Sequence, residues 1–347
     1  MSQDQKQEQQ LIIDIHGHVS APESLYAYKA GLLSHRGAHG RGRVGASDDQ
    51  LRAAMEEPSA AHGPSHLAQL DEAGIDLQVI SPRPYTLMHS EQPAKLVDWF
   101  VAETNDLIAR TCALYPERLR GMGALPQSPD TDPREWVGEL KRMVTDLGFV
   151  GVLLNPDPTE GTGTVPPMGD RYWYPVYEAL CELGVPALIH SAGCKPPARQ
   201  SYSLHFLLEE TIAVESLVSS RVFADFPGLN LVVSHGGGAI PYQAGRFLPG
   251  ALKRGDGRTY LDMLRQLWFD TALYTPEAIE LLLKVAGPAR CLFGSEKPGT
   301  GSTVNPETGR MFDDIKLLID DVPWLTDEER AAVFAGNARS VFPGVAQ

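Results

Sequence analysis

Eight short runs rich in Val, Ile and Leu punctuate the 347 residues: LIIDIH from residue 11, IDLQVIS from 75, LRGMGALP from 119, FVGVLLNP from 149, VPALIHS from 185, LNLVVSH from 229, LWFDTALY from 267 and CLFGSE from 291. Amphipathic stretches separate them, among them helical patterns over 93–119, 132–148, 174–184 and 275–287. The last pattern opens with a Thr-Pro cap and closes at a glycine. Strand and helix in alternation predict a parallel sheet covered by helices, and eight repeats predict a closed (β/α)8, TIM-like barrel. An open dinucleotide-binding sheet is the alternative, but the GGG at 236–238 lacks the G-x-G-x-x-G spacing that cradles a pyrophosphate. Two segments depart from the alternation. Residues 20–65, rich in Gly, Ser, His and Arg, read as a long loop inserted after the first strand and placed to cap the barrel mouth. Residues 311–342 hold two helical patterns that predict the last outer helices. The expected organisation is a disordered tail over 1–10 and a single barrel domain over 11–343.

Composition narrows the setting. Hydrophobic residues make up 43% and charged residues 21% of the chain, an ordinary globular mixture. The formal net charge of -14 disfavours a nucleic acid or an anionic membrane as partner. The polar start MSQDQKQEQQ does not read as a secretory signal, and no run approaches the roughly 20 apolar residues of a membrane span. Four scattered cysteines without a C-x-x-C pair predict neither a disulfide framework nor a cysteine zinc site, and fit a reducing cytoplasm.

In such a barrel, chemistry collects at the carboxyl ends of the strands. There the chain places His16 and His18, then Arg83, Asn155, His190, His235 and Glu296. Along a strand His16 and His18 share a face with Ile12 and Asp14. Two imidazoles on one strand face, with a third from another strand and a carboxylate, are the nitrogen and oxygen donors of a catalytic zinc that keeps a position open for water or substrate. Lone histidines such as His62, His66 and His205 are expected to be structural, and His35, His39 and His89 to be solvated in loops. Asp14 and Asp270 face inward in this register, as packing or supporting groups rather than reacting ones.

DIHGHV, LIHSAG, VVSHGGGAIPYQAGR and CLFGSE, in this order and spacing, resemble the amidohydrolase superfamily. The similarity is to the branch that includes aminocarboxymuconate semialdehyde decarboxylase and the aromatic-acid decarboxylases, and it spans nearly the whole chain. Those decarboxylases carry aspartate as the strand-eight ligand where this chain has Glu296. That difference, with NPETGRMFDDIKLLI and FAGNARSVFP behind it, resembles the hydratases of the branch. The resemblance implies a Zn2+ site, or another divalent metal such as Mn2+, held by His16, His18, His190 and Glu296, with His235 as an acid-base or orienting group. It also implies a homo-oligomer, a dimer being common, and addition of water to a muconate-type tricarboxylate such as 4-oxalomesaconate.

Hydration of a conjugated double bond needs an activated water, a stabilised enolate and a proton for carbon. Zinc lowers the pKa of its water toward about 7. Glu296, one methylene longer than aspartate, can take the water proton, and His235 titrates in the range of an acid-base partner. A small anionic polycarboxylate requires cations in this acidic chain. Arg83 and Arg246 are the first candidates because guanidinium pairs bidentately with carboxylate; Lys195 and Arg199 follow. Asn155 either hydrogen-bonds substrate or fixes the NPDP turn. A metal-dependent decarboxylase is the alternative activity, and a catalytically silent binding barrel the third reading.

Overall fold

The computed structural model describes residues 10–59, 63–199, 203–254 and 257–346. Nearly all of the tail expected to be disordered, and His62, lie outside the described residues. Eight parallel strands pair in sequence order: β1 (Ile13–His18), β2 (Leu77–Ser81), β3 (Leu119–Ala124), β4 (Gly151–Leu154), β5 (Ala187–Ile189), β6 (Leu231–Val233), β7 (Trp268–Asp270) and β8 (Cys291–Leu292). The first and last strands meet through Ile15 N donating to Phe293 O at 2.9 Å and Glu296 N donating to His16 O at 2.7 Å, so the sheet curls into the expected (β/α)8 barrel.

Helices α1 (Glu23–His35), α2 (Asp48–Glu56) and α3 (His66–Glu72) fill the crossing from β1 to β2. Next come α4 (Lys95–Leu114), α5 (Pro133–Thr145) and α6 (Tyr174–Leu183), one after each of β2, β3 and β4. Then α7 (Ser203–Val218) and α8 (Val222–Asp225) follow β5, α9 (Ile240–Arg254) and α10 (Tyr260–Leu264) follow β6, and α11 (Pro276–Ala286) follows β7. The chain closes with α12 (Ile315–Asp320), α13 (Asp327–Ala331) and α14 (Asn337–Val341), the last two joined by a π-helical turn at Ala332–Gly336. Local chemistry sets these boundaries. Asp132 and Glu135 form a reciprocal capping box ahead of α5, with Pro133 at its first position. Thr275 caps α11 by accepting from Ala278 N, and Pro276 follows it, as the Thr-Pro pair predicted.

The segment 20–65 is not the long loop expected from its composition. The glycine-rich stretch is confined to the connection between α1 and α2. Ser47 and Gln50 cap α2 reciprocally, and Leu51 and Met55, four residues apart, bury its inner face. Those few apolar positions were diluted in a window dominated by Gly, Arg and Ser.

The strands bury aliphatic residues against the helices, whereas the barrel interior near β1 is polar. The Asp14 carboxylate, fully buried, accepts from His16 N (3.0 Å), Ser295 N (3.0 Å), Ser295 Oγ (2.6 Å) and Gln78 Nε2 (2.8 Å). On the outside, Gly123 allows α4 and α5 to close on β3. A Cβ there would meet Met143 Sδ at 2.0 Å, Phe149 at 2.8 Å and Asn105 Oδ1 at 2.9 Å. Asn105 is itself fixed, bonding Ala124 N and Ala124 O at 3.0 Å each. Gly123→Ala should therefore overpack this wall and lower stability by ~1–3 kcal/mol, read as a reduced urea midpoint with an unchanged slope.

Candidate functional site

The strand ends bring five side chains together at one end of the barrel: His16 and His18 from β1, His190 just after β5, His235 just after β6 and Glu296 beyond β8. The His16 ring centre lies 5.1 Å from those of His18 and His190 and 5.3 Å from that of His235. The rings of His190 and His235 are 4.9 Å apart. His16, His190, His235 and Glu296 each offer a donor atom within 4.8 Å of the others. His18 joins them, its Nε2 3.9 Å from Glu296 Oε1.

The barrel wall decides which nitrogen faces inward. His16 Nδ1 donates to Asp270 Oδ2 at 2.6 Å, and His190 Nδ1 to Ser191 O at 2.7 Å. His18 Nδ1 donates to Ser81 Oγ at 2.9 Å, whose own hydrogen goes to Gly17 O at 3.1 Å. Each ring is thereby fixed with its Nε2 lone pair toward the shared centre. Those three Nε2 atoms are buried and have no hydrogen-bond partner among the described residues. Buried polar atoms are otherwise paired, so three orphaned lone pairs converging beside a carboxylate fit a divalent metal ion. Burial, reinforced by the neighbouring imidazoles, holds His18 and His190 well below the ordinary histidine pKa, in the neutral form that ligates metal.

His235 is held differently. Burial opposes its charge, but the Glu210 carboxylate, with both oxygens 3.0 Å from Nδ1, and Glu296 beyond Nε2 together raise its pKa well above the usual value. His235 Nε2 lies 3.8 Å from Glu296 Oε2. Tyr274 OH donates to that same oxygen at 2.7 Å. Burial disfavours charge on Glu296, yet His235 and the β1 imidazoles outweigh it and keep this carboxyl well below the ordinary range. His235 (φ 51°) and Glu296 (φ 61°) both occupy the left-handed region that non-glycine residues avoid. A cavity of about 300 Å³ opens onto His235, Tyr274 and Glu296, walled by Phe206 and Leu273.

The other expected residues separate into two groups. Arg83 is buried at the mouth, donates to Pro298 O at 3.3 Å, and is close enough for its charge to act on His18. Asn155 folds back on its own turn: its Nδ2 donates to Asp157 O and its Oδ1 accepts from Asp157 N, both at 3.1 Å. Lys195 pairs with Glu91 and with Glu160 at 3.6 Å, so it neutralises carboxylates of the protein. Arg246 is exposed on α9 and lines neither the cavity at the cluster nor the one beside Arg83. His89, expected in solvent, is fully buried and bonds Gln127 O at 2.9 Å, because the loop after β2 folds inward. His66 bridges Ser20 and Gln78.

Two side chains that hold the cluster were missed. Tyr274 ends the seventh apolar run, and the strand-end rule applied to that run would have found it. Glu210 sits in the middle of α7, where nothing in the local pattern distinguishes it.

Residues 13–344 match the Amidohydrolase family. The chain belongs to the amidohydrolase family. It is 39% identical over 341 residues to 2-keto-4-carboxy-3-hexenedioate hydratase of Sphingobium sp. strain SYK-6, with 96% of each chain covered. The crystal structure of 4-oxalomesaconate hydratase from Rhodopseudomonas palustris superposes with a TM-score of 0.85 at 36% identity, covering 96% of each chain. A manganese-bound 5-carboxyvanillate decarboxylase of Novosphingobium aromaticivorans shares the fold at a TM-score of 0.70 and 20% identity, covering 96% of this chain and 97% of that one.

The three orphaned imidazole nitrogens predict that protein prepared without chelators retains about one tightly bound divalent metal ion per chain. His190→Ala should lose it on desalting, as read by elemental analysis; retention by that variant would contradict a site built on His190.

Proposed function

We propose that this enzyme is a divalent-metal hydratase that adds water to the double bond of a muconate-type tricarboxylate such as 4-oxalomesaconate. The chain is a lyase of the amidohydrolase family, with hydratases among its relatives across 96% of its length and the decarboxylase described above more distant. The observation that carries the reading is the position of Glu296. One of its oxygens faces the β1 imidazoles, and the other faces His235 and the Tyr274 hydroxyl.

His16, His18, His190 and Glu296 would hold the ion, either Zn2+, which suits imidazole and carboxylate donors, or Mn2+, which the decarboxylase relative contains. When bound, the ion supplies Lewis acidity, lowering the pKa of water and polarising a carbonyl. The protein's own residues do the rest. Glu296 accepts the proton of the attacking water as its oxygen bonds to carbon. Electrons of the double bond move toward the conjugated carbonyl. His235, held protonated against Glu210, donates to the developing enolate or delivers the proton that carbon requires. Arg83 pairs with a substrate carboxylate at the mouth. Residues 11–343 act as one barrel domain, and the family match over 13–344 supports that extent. Four free cysteines support a reducing cytoplasm, and among the described residues no helix is long and apolar enough to cross a membrane. A dimer is the proposed assembly.

Turnover of a panel of muconate-type acids by metal-loaded protein tests the assignment. The product should gain one solvent oxygen, followed with 18O water, and release no carbon dioxide. Carbon dioxide evolved in proportion to substrate consumed would instead assign a decarboxylase.

Glu296→Gln keeps a ligating oxygen and removes the base, so kcat should fall at least ~100-fold with metal content measured alongside. Arg83→Met should raise KM with a smaller effect on kcat, because uniform binding of a carboxylate is lost. An unchanged KM would make Arg83 a structural cation tied to Pro298.

A further inference from the structure

A second group of donors lies outside the catalytic cluster. His205 and Glu209 stand four residues apart on one face of α7, and Asp157 reaches them from the loop after β4. One donor atom from each lies within 4.8 Å of the others, and His205 Nδ1 is 4.0 Å from Glu209 Oε1. His205 is only 1% exposed, and neither of its ring nitrogens has a hydrogen-bond partner among the described residues. A structural histidine would have one. Asp157 Oδ1 accepts from Thr159 N at 3.0 Å and from Thr159 Oγ1, and Oδ2 accepts from Gly161 N at 2.6 Å, which orients the carboxylate and leaves one lone pair on Oδ2. Burial and the facing Asp157 charge push Glu209 up to about 7, as two carboxylates without enough cation between them require. A cavity of about 340 Å³, lined by Asp157, Gly161, Arg199 and Glu209, gives access from solvent. The Arg199 guanidinium is the cation whose charge acts on Glu209.

We propose that Asp157, His205 and Glu209 form a second divalent-cation site, distinct from the catalytic one and independent of the hydratase reading. One imidazole with two carboxylates suits Mn2+ or Zn2+, with water completing the coordination sphere. The ion would pin α7 to the loop after β4. That helix carries Phe206 and Leu207 of the catalytic cavity and Glu210, which holds His235. The site therefore acts as a tether for one wall of the active site.

The test uses holoenzyme carrying one equivalent of Zn2+, titrated with Mn2+, which does not displace the tighter-binding Zn2+. Calorimetry and electron paramagnetic resonance should show one further Mn2+ per chain with hyperfine coupling to a single imidazole nitrogen. Glu209→Gln and His205→Gln should each weaken this binding at least ~10-fold while the first equivalent of Zn2+ stays in place. Crystals of the wild-type holoenzyme soaked in MnCl2 should give an anomalous peak among Asp157, His205 and Glu209, a result that stands even if a variant misfolds. No further Mn2+ in the wild-type protein, a peak located elsewhere, or unchanged affinity in both folded variants would overturn the proposal.

Discussion

The buried carboxylate of Asp14 is the point on which the site depends. A carboxylate inside a barrel is tolerated only when its lone pairs are taken, and Asp14 collects donors from β1, from Gln78 on β2 and from Ser295 just past β8. Those three segments meet at the barrel seam. Burial still pushes Asp14 above its ordinary pKa, so its four donors do not fully offset the loss of water. What they secure is alignment. Asp14 lies two residues before His16, and Ser295 immediately precedes Glu296, so one carboxylate sets the position of the β1 imidazoles relative to Glu296.

From that fixed seam the remaining geometry follows by a repeated device. Each imidazole is held by its Nδ1 from the wall of the barrel, through Asp270, Ser81, Ser191 O or Glu210. The chemical character of the holder separates His18 and His190 from His235. Neutral holders and burial leave His18 and His190 uncharged, whereas the carboxylate behind His235 favours its cation. The same side-chain type, at similar burial, thus differs in charge between His18 and His190 on one side and His235 on the other, while His16 keeps a carboxylate, Asp270, behind its Nδ1.

Much of this was legible in the sequence because it rests on short-range order. The strand period places His16 and His18 on one face, and the ends of apolar runs point to His190, His235 and Glu296. Asp270 and Asp14 also read correctly as inward supporting groups. What escaped depends on contacts between distant segments. Glu210 becomes special only when α7 docks beside β6. Arg246 looks like a site cation because of its neighbours in sequence, but α9 turns it to solvent. Asn155 could be read two ways until Gln127 and Asp157 were seen to hold its turn. Composition misled where a window mixed structures, as in 20–65, where most of the glycines lie in the connection between α1 and α2.

The left-handed backbone at His235 and Glu296 has a consequence for how such a chain can change. A non-glycine residue in that conformation costs on the order of 1 kcal/mol, and both residues stay there because their side chains are needed at the cluster. Glycine would relax the main chain at either position and remove the side chain from the cluster. Selection for thermal stability alone would therefore draw both positions toward glycine, and two strained side chains kept beyond the ends of β6 and β8 would separate a working member of this fold from one that has kept only its shape.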